Sequence, residues 1–130
     1  MDQTIEDYDA IVAVVHLYGE GTARGDVKVL AEAFHDDARM FGHVEGHRLD
    51  VPIAEYFSLA EKWPADADDT YTVRVISVDQ VGDVAVAVVV EEGVWGDVSF
   101  IDFFSLARID DEWKIVSRAF SHTGGSMPTD

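Results

Sequence analysis

The longest alternating apolar run of the chain contains one charged residue, Asp102. Apolar side chains recur with period two over residues 98–106, which predicts a β-strand. The face that carries the carboxyl group is formed by Val98, Phe100, Asp102, Phe104 and Leu106. A carboxyl group walled in by Phe and Leu must be ion-paired, hydrogen-bonded or protonated at neutral pH. Asp102 is therefore predicted to be either a core anchor or the start of a binding site.

Histidines supply the second set of candidate chemical groups. His43, Glu45 and His47 stand at alternate positions, a pattern that could hold a divalent metal ion. A turn at Glu45 and Gly46 would break their common face, so we expect no metal site. His35 follows a predicted helix and is interpreted as a cation that stabilises the C-terminal end of the helix dipole.

Composition limits the possible partners. The 130 residues suffice for one domain, and 26 acidic against 9 basic residues give a net charge of -17. This charge repels nucleic acid and anionic membranes, and it leaves a small molecule as the expected ligand. Cysteine is absent, so neither disulfides nor thiolate chemistry is expected. The sequence predicts no signal peptide, no membrane span and a cytoplasmic protein that needs no cofactor.

Helical periodicity fills the first half of the chain. Thr4 is the predicted N-cap of a helix that ends near Gly25, and Asp26 caps a short second helix that ends before residues 35–37. A third helix is predicted from Pro52 to residues 63–64.

Strand periodicity fills the second half. Turn signals divide it into strands at residues 71–79, 84–95, 98–109 and 113–122. A short strand pair turning at Glu45 and Gly46 is predicted between the second and third helices. The fold class is therefore α+β, with three N-terminal helices packed on a curved, mainly antiparallel sheet. Residues 1–123 are expected to form one domain, and residues 124–130 a flexible C-terminal tail.

Several segments of the chain resemble the nuclear-transport-factor-2-like (NTF2-like) superfamily. They are YGEGTARGD at residues 18–26, Leu30, AFHDDA at 33–38, IDF at 101–103 and WKIV at 113–116. The resemblance covers about residues 5–122 and is nearest to the branch labelled putative lumazine-binding. It implies the cystatin-like cone of SnoaL-like and ketosteroid-isomerase-like proteins, with a pocket between helices and sheet. Because the superfamily contains isomerases, cyclases, epoxide hydrolases, dehydratases and non-catalytic binders, the fold does not decide the chemistry.

Ketosteroid-isomerase-like members imply specific roles for three positions. Tyr18 and a protonated Asp102 match the two residues that donate hydrogen bonds to a developing oxyanion. The position of the catalytic base falls at Gly42, which has no side chain to take a proton. His43 is adjacent and is the candidate substitute. The chain is accordingly expected to bind phenols or enolate mimics strongly and to isomerise weakly.

Two other members of the superfamily imply different chemistry. Epoxide-hydrolase-like members need an arginine between two acidic residues, and the position two before Asp102 is Phe100, so this route lacks its centre. A cyclase-like mechanism needs one strand-borne acid, and Asp102 could serve as both acid and base.

The apolar and aromatic side chains admit two interpretations. They could line a cavity for a flat ligand, or they could fill the core of the domain. The candidate ligand-binding residues are Phe34, Met40, Phe41, Tyr56, Phe57, Trp63, Phe100 and Phe104, with His122 at the rim.

The sequence thus predicts a small-molecule-binding protein with Tyr18 and Asp102 hydrogen-bonded in an apolar pocket. Two alternatives stay open: an isomerase- or cyclase-like enzyme that stabilises an enolate, and a non-catalytic dimeric scaffold with a filled pocket. A homodimer is expected because strands within residues 84–106 are apolar on both faces and helices cover one face alone.

Overall fold

The computed structural model describes residues 4–128 of the chain. Three helices, α1, α2 and α3, span Ile5–Arg24, Val27–Ala33 and Ile53–Lys62. Six strands, β1 to β6, span Phe34–Val44, His47–Pro52, Thr72–Val81, Val84–Val94, Val98–Ile109 and Glu112–Gly124. The predicted helices, the four long strands and the short strand pair are confirmed, with strand ends shifted by two residues or fewer.

The strands form one mixed sheet in the order β2-β1-β6-β5-β4-β3. All neighbouring pairs are antiparallel except β1 and β6, which run parallel. The helices cover the inner face of this sheet, so the α+β class is confirmed. Among residues 4–128, no helix has the length and apolarity needed to cross a bilayer.

The caps that the sequence predicts are present at both ends of α1. The Thr4 hydroxyl accepts a hydrogen bond from the Asp7 backbone N–H at 3.0 Å. At the other end, Gly25 adopts a left-handed conformation (φ 67°), which glycine reaches without steric cost. The Asp26 carboxylate then accepts from the Lys28 N–H at 3.1 Å and begins α2.

The segment after α2 differs from the prediction. The second helix ends at Ala33, close to its predicted end, but residues 35–37 are extended and belong to β1, which begins at Phe34. Nδ1 of His35 accepts a hydrogen bond from the Asp37 N–H at 3.0 Å. The interpretation of His35 as a helix-dipole cation is therefore wrong.

The end of the described chain also differs from the prediction of a flexible tail. Gly124 still belongs to β6, and the N–H groups of Ser126 and Met127 donate to the carboxylates of Asp97 (3.2 Å) and Glu45 (2.7 Å). Ser126 is thereby attached to the turn between β4 and β5, and Met127 to the tip of the β1-β2 hairpin. The predicted tail residues 129 and 130 lie outside the described residues.

The sheet separates a buried inner face from an exposed outer face. On β5 the five predicted inward residues are buried, whereas Ile101 and Phe103 are exposed on the other side. Large exposed apolar side chains recur on the strands: Phe41, Ile76, Val81, Val84, Val86, Ile101 and Phe103. The outer face is therefore apolar over several strands.

Candidate functional site

A cavity of about 730 Å³ lies between the helices, the inner face of the sheet and the β1-β2 hairpin. Its wall is mostly aromatic and aliphatic. The aromatic members are Tyr18, Tyr56, Trp63, Trp95, Phe100 and Phe120. Glu45, His47 and Arg48 lie at the exposed hairpin end, which forms the mouth, while Glu91 and Arg118 lie at the buried inner end.

Strand register brings three charged residues together at the inner end. Phe120 pairs with Asp102, which pairs in turn with Val89, so Arg118 and Glu91 are the diagonal neighbours of Asp102 on the inner face. The three side chains are 4%, 1% and 0% exposed for Arg118, Glu91 and Asp102.

Arg118 bridges the two carboxyl groups. Its Nε donates to Oδ1 of Asp102 at 2.9 Å, and its Nη2 lies 3.0 Å from Oε2 of Glu91 and 2.7 Å from the same Oδ1. An arginine between two acidic residues is therefore present, although we excluded it from the sequence. The exclusion was wrong because the arginine comes from β6 and not from the strand of Asp102.

The pKa values of the two carboxyl groups are shifted in opposite directions. Burial raises the pKa of Asp102 well above its ordinary value; the Arg118 charge opposes this shift and the Glu91 charge adds to it. Burial also acts to raise the pKa of Glu91, but Arg118 and hydrogen bonds from Asp102, Tyr71 and Tyr18 outweigh it and lower that pKa. These opposite shifts favour an ionised Glu91 beside cationic Arg118 and a protonated Asp102.

The position of that proton follows from the hydrogen bonds. Oδ1 of Asp102 accepts from Arg118, whereas the buried Oδ2 has no partner among the described heavy-atom donors. Asp102 and Glu91 are in side-chain contact, and a proton on Oδ2 would supply the donor that a hydrogen bond between two carboxyl groups needs. This accounts for an otherwise unpaired buried oxygen.

Tyr18 contacts the site differently from the prediction. Its hydroxyl donates to Glu91, at 3.0 Å to Oε2 and 3.2 Å to Oε1, and the Tyr71 hydroxyl donates to Oε1 at 2.6 Å. The predicted direct hydrogen bond between Tyr18 and Asp102 is therefore wrong, because the Tyr18 hydroxyl donates its hydrogen bond to Glu91. Burial raises the pKa of both tyrosines well above the ordinary value.

Two more hydroxyl groups extend this network along the cavity wall. The Tyr56 hydroxyl lies 3.4 Å from that of Tyr18 and 2.8 Å from Oγ1 of Thr22. Thr22, Tyr56 and Tyr18 thus form a hydroxyl chain that leads to Glu91.

The guanidinium group of Arg118 offers one free edge. Its carbon lies 4.4 Å from the ring centroid of Phe120 and 5.5 Å from those of Tyr18 and Phe100. Nε and Nη2 are occupied by the carboxyl groups, whereas Nη1 makes no hydrogen bond within residues 4–128 and is not among the fully buried atoms. Because Arg118 lines the cavity, Nη1 is the candidate cationic donor for a ligand.

The predicted site residues are distributed over three places. Tyr18, Tyr56, Trp63 and Phe100 lie on the cavity wall. Asp102 lies behind Arg118, and the remaining aromatic and apolar candidates lie off the wall. Phe34, Met40 and Phe104 belong to the main core, and the partly buried Phe57 packs against it. Phe41 is exposed, and Nε2 of His122 lies 2.8 Å from the carbonyl oxygens of Gly124 and Gly125.

The proposed substitute base is not at the cavity. His43 pairs with Ser121, which pairs with the exposed Ile101, so His43 lies on the outer face of the sheet. Next to it, a Cβ on Gly42 would lie 2.5 Å from the Phe120 ring. An aromatic ring therefore occupies the space in which a base at this position would lie, and the assignment of His43 as base is wrong for this geometry.

Sequence inspection missed Glu91 and Arg118. Both occupy inward positions of the period-two pattern, Glu91 after Ala85, Ala87 and Val89, and Arg118 before Phe120. A charge at an inward position of a strand is the signal that marks both residues in the sequence, as it marks Asp102.

A family profile described as "Putative lumazine-binding" matches residues 6–121. The chain is also similar to the aldolase FrzH of Cladobotryum sp, with 28% identity over 119 residues that cover 90% of this chain and 92% of the relative.

Solved structures show the same fold. An NTF2-like protein of unknown function from Methylobacillus flagellatus superposes with a TM-score of 0.85 at 29% identity, covering 94% of this chain and 96% of that protein. One from Silicibacter pomeroyi gives 0.84 at 28%, covering 94% and 100%. A ketosteroid isomerase-like protein from Erwinia carotovora atroseptica gives 0.71 at 18%, covering 94% and 100%, and shows likeness of fold alone.

Proposed function

The chain belongs to the putative lumazine-binding family of the NTF2-like superfamily, and on that premise we propose that its cavity binds a flat, mostly apolar small molecule through a carbonyl oxygen. The observation that carries the proposal is the free Nη1 edge of Arg118 at the inner end of an aromatic cavity. A hydrogen bond from a cationic donor to a ligand oxygen is stronger than a neutral one, and exclusion of water strengthens it further.

The local charge favours an uncharged ligand. Arg118 is paired with Glu91, and the raised pKa of Asp102 favours its neutral form, which leaves the buried inner end without net charge. A carboxylate ligand would add an unbalanced charge to a buried site, which is costly. A carbonyl oxygen takes the same donor without that cost.

The cavity also supports binding over the scaffold alternative. A scaffold with a filled pocket would need side chains to occupy the space, whereas about 730 Å³ stays open and lies within the size range of small-molecule sites.

Binding can be measured by thermal shift and calorimetry with flat aromatic carbonyl compounds such as coumarin. Arg118→Lys keeps the cation for Glu91 and Asp102 but removes the spare edge, so affinity should fall roughly 10- to 100-fold. Arg108→Lys is the matched control, because Arg108 pairs with Asp7 and Asp83 and does not line the cavity. Equal affinity of the wild type and Arg118→Lys would contradict the proposal.

A second candidate function is enzymatic. The similarity to the aldolase FrzH favours carbon–carbon chemistry through an enolate, which the cationic Nη1 could stabilise as negative charge develops on the carbonyl oxygen. An isomerase- or cyclase-like reaction would use the same enolate. Deuterium exchange at the α-carbon of a bound ketone, followed by NMR, tests the step they share; exchange no faster than in buffer would refute it.

The predicted homodimer is retained as part of the proposal. The exposed apolar side chains of the outer face support a partner sheet there, since helices cover the inner face alone. Light scattering should give twice the chain mass at micromolar concentration. The predicted cytoplasmic location stays a prediction.

A further inference from the structure

The protons of the hydroxyl chain are already directed away from the cavity. Glu91 receives donors from Arg118, Tyr18 and Tyr71, and a guanidinium group can never accept a hydrogen bond. As the ionised acceptor at the end of the chain, Glu91 fixes the direction of the Tyr18 proton.

This direction propagates along the wall because each hydroxyl has one proton. Tyr18 has donated its proton, so its oxygen accepts the longer 3.4 Å contact from Tyr56. Tyr56 has then used its own proton, and Thr22 donates to Tyr56 at 2.8 Å. The groups that remain for a ligand are oxygen lone pairs on Thr22 and Tyr56, both of which line the cavity.

The cavity wall therefore carries both a donor and acceptors. Nη1 of Arg118 donates, and the oxygens of Thr22 and Tyr56 accept. We infer that the ligand carries an N–H or O–H donor beside its carbonyl oxygen, as a lactam or an enolised 1,3-dicarbonyl compound does. The inference rests on the proposed carbonyl site and specifies the class of molecule that fits it.

A ligand without that donor binds less well for a physical reason. Its atom beside the carbonyl would meet a lone pair, or the hydroxyl chain would have to reverse and give up the contact to Tyr18. Either outcome leaves a polar group in the cavity without its partner, which costs binding free energy.

The test compares two bicyclic compounds that differ in one group. 2-Quinolone has an N–H beside its carbonyl, and coumarin has a ring oxygen in that position. Calorimetry on the wild-type protein should give a dissociation constant about tenfold lower for 2-quinolone, the value of one net hydrogen bond. N-Methyl-2-quinolone, which keeps the amide but loses the donor, should bind no better than coumarin.

Thr22→Val and Tyr56→Phe remove the acceptors while nearly preserving shape. In a folded variant with unchanged thermal unfolding, the preference for 2-quinolone over coumarin should shrink toward onefold. Equal binding of the two compounds by the wild type overturns the inference and leaves the carbonyl site standing. Binding of neither compound refutes the carbonyl site and the inference with it.

Discussion

Asp102→Asn tests the assignment of the proton in the buried charge cluster. If Asp102 is a neutral acid, asparagine reproduces both of its contacts, since its oxygen can accept from Arg118 and its NH₂ can donate to Glu91. The change should then alter the free energy of unfolding at neutral pH by less than about 1 kcal/mol in the destabilising direction. Were Asp102 ionised, the same change would break a buried ion pair, at a cost of about 3–5 kcal/mol.

The pH dependence gives a second, sharper magnitude. Because the folded-state pKa of Asp102 is raised above the ordinary value of 3.8, the folded protein binds more protons than the unfolded chain between these two values. Wild-type stability therefore contains a contribution that is lost as pH rises, at about 1.4 kcal/mol per pH unit. Asp102→Asn lacks this contribution, so its stability relative to wild type should rise by that slope and level off above the folded-state pKa.

The assay is urea unfolding of both proteins from about pH 5 to about pH 8, where globular proteins are generally most stable. Protein concentration must be equal, since self-association would change apparent stability, and the denaturant slopes must agree. Asp36→Asn, at an exposed position of β1, controls for the general loss of one negative charge. A penalty of 3 kcal/mol or more that does not vary with pH would show that Asp102 is ionised.

Three further outcomes follow from the same geometry. The double change Glu91→Gln with Asp102→Asn should destabilise by about 2–3 kcal/mol more than the sum of the single changes, measured by urea unfolding, because either carboxylate alone can neutralise the arginine. Gly42→Ala should cost about 1–3 kcal/mol in the same assay, since its Cβ would meet the Phe120 ring at 2.5 Å; a neutral effect would show that the ring moves freely. Phe103→Glu should halve the mass measured by light scattering. A wild-type protein that already has the mass of one chain would refute the dimer.

Elements could be predicted from the sequence because their signals are local. Thr4 and Asp26 cap helices through hydrogen bonds within three residues, and the alternation around Asp102 specifies a strand face without knowledge of its neighbours. The start of β1 was less well predicted because the polar residues 35–37 resemble the loop after a helix. Their extended conformation reflects pairing of β1 with β2 and β6.

The partners of Asp102 could not be predicted because they depend on register across strands. Arg118 on β6 contacts Asp102, which is 16 residues away in the sequence. The same arginine contacts Glu91 on β4, which is 27 residues away. The sequence indicated that Asp102 needed compensation but not which side chain supplied it.

The replacement of a base by an aromatic ring also depends on three-dimensional packing, and it changes which reactions the site can support. Phe120 fills the space beside Gly42, where the catalytic base was predicted, and its ring packs on the guanidinium group of Arg118. The one carboxylate at the inner end, Glu91, has both oxygens occupied by donors and a lowered pKa, which makes it a poor proton acceptor. Enolate formation at this site would therefore have to take its proton acceptor from the mouth, where His47 lies on the cavity wall. His47→Gln should then abolish α-carbon exchange while 2-quinolone affinity is retained, and exchange that survives this change would exclude His47 as the base.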